Sequence, residues 1–225
     1  PVLMLVVYTF VFSVVFKARW VGGTDSKTEF ALVLFAGLMV YNLFAECINR
    51  SPGLVLGNVN YVKKVVFPLE ILPVVAIGSA AFHLLVSLLV WLIFYLIYFG
   101  IPQATLILFP LVLIPFFLLT LGFSWFLASL GVFLRDVSQI VVVMTTALMF
   151  LSPIFYPITA LPQEYHIFLQ INPLTFVIEQ ARDVMIWGKG MNWIAWATYL
   201  LLAAIMAWLG FAWFQKTRKG FANVL

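Results

Sequence analysis

The sequence predicts an all-α polytopic membrane protein, and three observations lead to this fold class. Hydrophobic residues make up 65% of the 225 residues and charged residues only 9%, whereas a soluble domain carries about 25% charged residues. The mean hydropathy is +1.14. The apolar residues lie in long runs separated by short polar segments, a pattern that is typical of membrane-spanning helices, whose backbone groups are satisfied within the helix.

Six apolar runs are interpreted as transmembrane helices. They cover residues 2–16, 30–47, 74–99, 106–134, 137–156 and 193–214. The chain starts at Pro1, inside the first run and without Met. We therefore expect the first helix to be cut short at its start and the N-terminal part of the natural protein to be missing.

The distribution of basic residues predicts the orientation in the membrane, because cytoplasmic loops carry an excess of Lys and Arg. One side of the membrane holds Arg50, Lys63, Lys64, Arg135, Lys216, Arg218 and Lys219. The other side holds Lys17, Arg19, Lys27, Arg182 and Lys189. We therefore expect the first side, and with it both termini, to face the cytosol.

Residues 58–73 lie between the second and third predicted helices, on the predicted cytosolic side. Here Lys63 and Lys64 are followed by Phe67-Pro68 and Glu70. Proline fixes φ, so an aromatic residue directly before it predicts a rigid knob on the surface. The two lysines are also explained without a protein partner, since basic residues at the cytosolic edge of a membrane bind anionic lipid head groups.

Residues 159–192 are too polar to span a membrane and too apolar for an ordinary loop. Asn172 before Pro173 predicts the start of a helix, Gly188 predicts its end, and residues 163–170 predict a second short helix. The apolar stripe of the longer helix is Leu174, Val177, Ala181 and Val184, with Glu179, Arg182 and Asp183 on the other side. We interpret residues 159–188 as a helical hairpin that re-enters the outer leaflet. The alternative is an interfacial hairpin that packs on the bundle.

Aromatic residues predict the wall of a transport pathway. Tyr8, Phe12, Phe16 and Trp20 recur every four residues in the first helix, Phe150, Phe155 and Tyr156 end the fifth, and Tyr165 and Phe168 lie in the hairpin. Sugar rings have apolar C–H faces that slide across aromatic rings, so a wall with few charges suits a neutral, hydroxyl-rich polymer. The alternative is an ordinary set of core, lipid-facing and interface-belt aromatics.

The sequence also argues against several chemistries. It lacks a G-x-x-x-x-G-K-[ST] loop, so the chain does not itself bind ATP in the P-loop manner. One cysteine and two histidines at unrelated positions give no metal-ligand spacing. The apolar runs hold almost no carboxylates, which disfavours ion-driven transport and an intramembrane hydrolase. We therefore expect no catalytic residue, metal or cofactor in this chain, and an energy source outside it.

Four segments carry a family resemblance. They are YVKKVVFPLEILP (residues 61–73), GVFLRDVSQIV (131–141), LSPIFYPITALP (151–162) and NPLTFVIEQARDVMIWG (172–188). In this order and spacing they resemble the membrane subunits of type-2 ABC transporters, specifically the O-antigen, teichoic acid and capsular polysaccharide export permeases.

The resemblance implies a homodimer of six-span subunits in the bacterial cytoplasmic (inner) membrane, together with two copies of a separately encoded ABC ATPase that binds ATP and Mg. The implied cargo is a lipid-linked polysaccharide; membrane lipids are the remaining partners, and no nucleic acid is expected. An amphipathic interface helix normally precedes the first span in this family, and its absence here agrees with a truncated start.

The resemblance also assigns roles to the segments described above. It implies that residues 58–69 contain a cytosolic coupling helix, with contacts to the ATPase made by Tyr61, Lys63, Lys64, Phe67, Pro68 and Glu70. The alternative for Glu70 is a local cap or pair. Leu69 departs from the family, where this position is often basic. The hairpin 159–188 would hold the gate helices, with Tyr165, Phe168, Glu179, Arg182 and Asp183, and the first and fifth spans would line the channel. We expect Arg135-Asp136 to form a structural turn.

Two other functions stay open. One keeps the fold and changes the cargo, giving an exporter of a drug or a lipid in the same superfamily. The other is a membrane-bound transferase that acts on a lipid-linked sugar. An enzyme needs convergent acid–base groups in one pocket, and only Glu179, Arg182, Asp183 and His166 are near enough in sequence to supply them.

Overall fold

The computed structural model describes residues 27–63 and 67–224, together with residues 3, 7 and 10. Ten α-helices lie between Lys27 and Val224, and the described residues contain no strand. The helices are α1 (Lys27–Arg50), α2 (Gly53–Leu56), α3 (Val59–Lys63), α4 (Ile71–Phe99), α5 (Phe109–Phe133), α6 (Val137–Leu151), α7 (Gln163–Ile171), α8 (Pro173–Met185), α9 (Trp193–Thr217) and α10 (Phe221–Val224). Short 3-10 turns occupy Ala104–Leu108, Ile158–Ala160 and Arg218–Gly220.

Four described helices are long and apolar enough to cross a membrane. They are Thr28–Arg50, Ile71–Phe99, Ala104–Phe133 and Trp193–Val224. The prediction of an all-α, multi-pass membrane protein is thereby confirmed, and these helices correspond to the second, third, fourth and sixth predicted spans. The first predicted span, residues 2–16, lies almost wholly outside the described residues.

The fifth predicted span is shorter in the structure than in the sequence prediction. The apolar run 137–156 forms a helix of 15 residues, α6, that ends at Leu151. At 1.5 Å per residue, such a helix is about 22 Å long, which is less than the hydrocarbon thickness of about 30 Å. Pro153 lies two residues beyond the helix, where it has no amide hydrogen to continue the helical hydrogen bonds.

The described helices divide into two compact units. The first unit consists of Pro1–Asn42, His83–Val112 and Leu148–Asn192. Its packing is anchored by Trp91, whose side chain is fully buried and whose Nε1 donates a hydrogen bond to the carbonyl oxygen of Leu32 at 3.2 Å. The hydroxyl of Thr105 donates to the carbonyl oxygen of Val184 at 2.7 Å, which fixes the 3-10 turn Ala104–Leu108 against α8.

The second unit consists of Leu43–Phe82, Leu113–Ala147 and Trp193–Leu225. In this unit α5 and α9 approach so closely that a Cβ atom added at Gly210 would lie 2.1 Å from the carbonyl oxygen of Gly122. Small residues permit such contacts between membrane helices, where van der Waals packing drives association. The hydroxyl of Thr145 donates a hydrogen bond to Oδ1 of Asn49 at 2.8 Å and joins α6 to α1.

Candidate functional site

The predicted coupling segment, residues 58–69, begins with the five-residue helix α3. The side-chain amide of Asn58 donates to the carbonyl oxygen of Leu54 at 2.8 Å and ties the start of α3 to α2. Residues 64–66 lie outside the described residues, as does the side chain of Lys63. The predicted roles of Lys63 and Lys64 therefore stay predictions.

Tyr61 and Phe67 form an aromatic pair on this segment. Their ring centroids are 4.7 Å apart with an angle of 27° between the rings, in a stacked arrangement. Tyr61 is 41% exposed, whereas Phe67 is partly buried, and Pro68 directly after it is exposed. The pair therefore presents one ring outward and holds the other ring against the protein.

The partly buried ring of this pair, Phe67, rests on a hydrophobic cluster, here called the Phe221 cluster. Its buried members are Val55, Leu69, Leu72, Ala128, Val132, Phe214 and Phe221, with Leu54, Phe67 and Trp125 packed against it. Phe214 and Phe221 meet edge to face, with 5.5 Å between ring centroids. Apart from Phe67 and Leu69 of the segment itself, these residues come from α2, α4, α5, α9 and α10, so the coupling segment is anchored to five helices.

Glu70 binds two groups that are distant in sequence. Its Oε2 lies 2.8 Å from Nη1 of Arg218, in an ion pair between partly exposed side chains. Its carbonyl oxygen accepts a hydrogen bond of 2.9 Å from Nε1 of Trp125. The sequence predicted a contact between Glu70 and the ATPase, and the structure adds an intramolecular partner for its carboxylate.

The turn that was predicted at Arg135-Asp136 separates α5 from α6. The carbonyl oxygen of Arg135 accepts from the hydroxyl of Ser138 at 3.1 Å, and that of Asp136 accepts from the amide of Gln139 at 3.1 Å. Both residues are exposed. The geometry is that of a tight connection, and the predicted structural role of the two charges stays a prediction.

The predicted hairpin contains α7 and α8, and Asn172 joins them. Oδ1 of Asn172 accepts a hydrogen bond from the amide of Leu174 at 2.9 Å, and Nδ2 donates to the hydroxyl of Ser152 at 2.9 Å. The first bond caps α8, and Pro173 occupies its first turn. The helix start predicted at Asn172-Pro173 is confirmed. The second bond also links this cap to the end of α6.

The guanidinium group of Arg182 is the most deeply buried charged group in the described hairpin, with 1% of the residue exposed. Its Nε donates to the carbonyl oxygen of Val33 at 3.1 Å, its Nη2 to that of Ile154 at 2.7 Å, and its Nη1 to that of Pro153. Its Nη1 also forms an ion pair of 3.2 Å with Glu179. Burial lowers the pKa of Arg182 to about 10. This value is still well above neutral pH, so the group stays protonated there.

The apolar stripe of α8 gave the wrong environment for Arg182. Its four predicted members are all buried, but so is Arg182, which the stripe put on the polar face with Glu179 and Asp183. The reason lies outside the helix, since carbonyl groups beyond the end of α6 have no helical donors and attract the guanidinium.

The two hairpin carboxylates have basic neighbours. Burial raises the pKa of the Glu179 carboxyl, and the neighbouring Arg182 opposes that shift. Asp183 pairs with Lys189 at 3.2 Å.

An apolar cavity of about 660 Å³ lies between the end of α6 and the hairpin. Its lining residues are Leu148, Leu151, Tyr156, Leu161, Tyr165, Phe168, Leu169, Ile171, Asn172 and Pro173. It brings together Tyr156, which was predicted to line a channel, with Tyr165 and Phe168 of the predicted gate. The hydroxyl of Tyr156 donates to the carbonyl oxygen of Phe150 at 3.1 Å, which fixes this ring at the cavity.

The other predicted pathway aromatics have different environments. Phe150 is 57% exposed and Phe155 is 8% exposed, and the two rings stack with centroids 5.7 Å apart. Phe155 therefore supports Phe150 from the buried side. Tyr8, Phe12, Phe16 and Trp20 lie outside the described residues, so their role stays a prediction.

The sequence of the chain matches a known transporter family. The sequence profile described as "ABC-2 type transporter" matches residues 1–186. The chain belongs to this family. The resemblance that was inferred from the four segments is thereby confirmed, since the match includes the first three segments and most of the fourth. As an ABC-2 type chain, the protein is a transport permease.

Three curated relatives of this ABC-2 permease are similar to it over most of their length. The O-antigen export system permease protein RfbA of Klebsiella pneumoniae is 24% identical over 226 residues, which cover 100% of this chain and 84% of the relative. The protein of the same name from Myxococcus xanthus is 22% identical over 99% of this chain and 84% of the relative. The polysialic acid transport protein KpsM of Escherichia coli is 25% identical over 80% of this chain and 72% of the relative.

Sequence reasoning missed three residues that organise the coupling segment, namely Trp125, Arg218 and Phe221. Arg218 was noted only as a basic residue near a membrane edge, and its partner Glu70 lies 148 positions earlier. No local pattern carries such a pairing. A weak signal was available for Phe221, a large apolar residue that follows the basic segment 216–219.

Proposed function

We propose that this chain is the membrane-spanning subunit of an ATP-driven exporter that moves a lipid-linked polysaccharide from the cytosol across the cytoplasmic membrane of a bacterium. It works as a homodimer with two copies of a separate ABC ATPase, which binds the ATP and Mg. Each subunit has six membrane helices, of which the fifth is the shorter α6, with both termini in the cytosol and a re-entrant hairpin at the outer face. The names of its relatives, which export O-antigen or transport polysialic acid, support the choice of cargo.

The observation that carries the proposal is the aromatic pair of Tyr61 and Phe67. A surface that receives a push from a partner needs an exposed contact and a rigid connection to the helices that must move. The exposed ring of Tyr61 supplies the contact, and Phe67 joins it to the Phe221 cluster, which includes residues of α5, α9 and α10. Closure of the partner ATPase dimer then displaces the segment and tilts these helices.

The cavity beside the hairpin supports a carbohydrate cargo. Its aromatic residues Tyr156, Tyr165 and Phe168 offer ring faces to the apolar faces of sugars, and few of its lining side chains are polar. A polymer that moves along such a wall breaks only weak contacts at each step. The bonds of Arg182 and Asn172 hold α8 at the end of α6. We therefore assign the movable part of the gate to α7, whose Tyr165 and Phe168 are exposed.

Deletion of the gene in the source bacterium tests the proposal. We expect surface polysaccharide to disappear and lipid-linked polymer to accumulate inside the cell, as measured on gels of surface and inner-membrane extracts. Expression of the wild-type gene in the deletion strain should restore the surface polymer. A tagged chain should copurify with an ABC ATPase, and native mass spectrometry of the purified complex should show two copies of each protein. If the deletion strain kept its surface polymer and became more sensitive to drugs, the cargo would be a drug and not a polysaccharide.

The transferase alternative is tested by neutral replacement of two hairpin carboxylates, Glu179→Gln with Asp183→Asn. An enzyme that uses them would lose its turnover, whereas a gate would leak or slow down. Both carboxylates already form ion pairs, with Arg182 and Lys189 respectively. This pairing favours a structural role over acid–base chemistry.

A further inference from the structure

The segment that follows α9 packs against the coupling segment. After Thr217 the chain forms the 3-10 turn Arg218–Gly220 and the short helix α10, which contacts α3. Phe221 is fully buried, with its ring centroid 5.5 Å from that of Phe214 and 5.9 Å from that of Phe133. This ring fixes the position of the turn that carries Arg218.

Glu70 is the point at which this turn meets the coupling segment. It lies directly before α4, in a turn in which the amide of Ile71 donates to the carbonyl oxygen of Pro68 at 3.0 Å. Its carboxylate binds Arg218 at 2.8 Å and its carbonyl oxygen binds Trp125 of α5 at 2.9 Å. One residue thus joins the Phe67-Pro68 knob to α5 and to the end of α9.

We propose that Glu70 and Arg218 are positioning residues that transmit movement of the Tyr61–Phe67 pair to α9. This inference rests on the proposed function. Apolar packing at Phe67 is not directional. If the segment were held by this packing alone, a push on Tyr61 would make it slide over the Phe221 cluster. The ion pair between Glu70 and Arg218 adds a directional bond, and the Trp125 bond adds a second one at the same residue. A displacement of the segment is then shared by α5 and α9.

The isolated permease gives the first test, without any partner. In detergent, Glu70→Gln and Arg218→Gln should each lower the unfolding temperature by roughly 2–4 °C, which corresponds to an ion pair at the upper end of the range for partly exposed groups. The double variant should lose no more than either single variant, because both remove the same interaction. Lys219→Gln is the matched control, since Lys219 is exposed and adjacent but does not take part in this ion pair. Additive losses would overturn the proposal.

The complex with the ATPase gives the second test. Export per ATP hydrolysed should fall about fivefold in Glu70→Gln and in Arg218→Gln, the factor that corresponds to roughly 1 kcal/mol of positioning free energy, while the ATPase stays bound. The exchanged pair, Glu70→Arg with Arg218→Glu, should restore most of the export. The assay measures surface polysaccharide together with phosphate release by the purified complex.

Three results of the second test would overturn the transmission role. They are an unchanged ratio of export to hydrolysis in both single variants, failure of the exchanged pair to restore export, and loss of the ATPase from the complex, which would show a role in assembly. A wild-type complex that exports nothing would instead refute the proposed function and the transmission role built on it. The thermal measurement on the isolated permease would still stand in that case.

Discussion

Replacement of Arg182 by methionine is the perturbation with the largest expected effect on the described hairpin. Methionine fills a similar volume with an unbranched apolar chain, so the change removes the donors of the guanidinium and leaves little empty space. The carbonyl groups of Pro153 and Ile154 would lose the hydrogen bonds that they now accept from Arg182. Val33 lies inside α1, where its carbonyl keeps a helical donor.

The magnitude follows from these two carbonyl groups. A buried acceptor that is left without a donor costs about 1–3 kcal/mol, so two of them cost about 2–6 kcal/mol. The ion pair with Glu179 adds little to this loss, because the Glu179 side chain is 38% exposed and water can solvate its charge. We therefore expect the free energy of unfolding to fall by about 3 kcal/mol. Arg182→Lys should recover only a part, because lysine presents its three donors from one nitrogen, whereas Arg182 binds the two carbonyl groups through two separate nitrogens, Nη1 and Nη2.

Reversible unfolding of the purified chain in mixed micelles, with increasing dodecyl sulfate, measures this difference. Arg135→Met is the matched control, since Arg135 is exposed in the turn between α5 and α6, and we expect it to change the free energy of unfolding by less than about 0.5 kcal/mol. A change of similar size in both variants would refute the view that carbonyl hydrogen bonds hold Arg182.

Two further changes test helix contact and helix capping, with thermal unfolding in detergent as the measurement for each. Gly210→Ala should destabilise the chain by at least about 2 kcal/mol, because the added Cβ would lie 2.1 Å from the carbonyl oxygen of Gly122. Gly78→Ala is its control and should be neutral or slightly stabilising, since nothing lies within 4 Å of the added atom and alanine favours helix; equal effects would contradict the close approach of α5 and α9. Asn172→Ala should cost about 1 kcal/mol through loss of the cap of α8, in addition to the Nδ2 bond to Ser152. Asn172→Asp keeps the acceptor for Leu174 and loses only the Nδ2 bond, so it should cost less, and an equal loss would contradict capping by Oδ1.

Hydropathy predicted the long helices because their environment is nearly uniform. The run 74–99 became α4, with only three more residues at its start, and the run 193–214 became α9, with three more at its end. Gly100 adopts φ 80°, a conformation that favours glycine and ends α4 where the sequence predicted. In hydrocarbon a helix satisfies its own backbone groups, so local composition is sufficient for these elements.

The candidate site was less predictable, because its bonds join residues that are distant in sequence. The polar groups of residues 152–154, directly after α6, accept hydrogen bonds from Asn172 and Arg182, which lie 20 or more positions later. Glu70 carries no local signal for Arg218, and periodicity alone put Arg182 on a polar face. By contrast, the cap at Asn172 needs only the next two residues, and it was predicted correctly.

The ratio of export to ATP hydrolysis in a Tyr61→Ala, Phe67→Ala double variant tests the central claim most directly. Tyr98→Ala, which removes an exposed aromatic ring from α4, serves as the control for loss of surface area. The anchored aromatic pair predicts that the double variant inserts in the membrane and binds the ATPase, that hydrolysis continues and that export is lost. Export at the wild-type level in the double variant would contradict the assignment of residues 58–69 as the coupling segment.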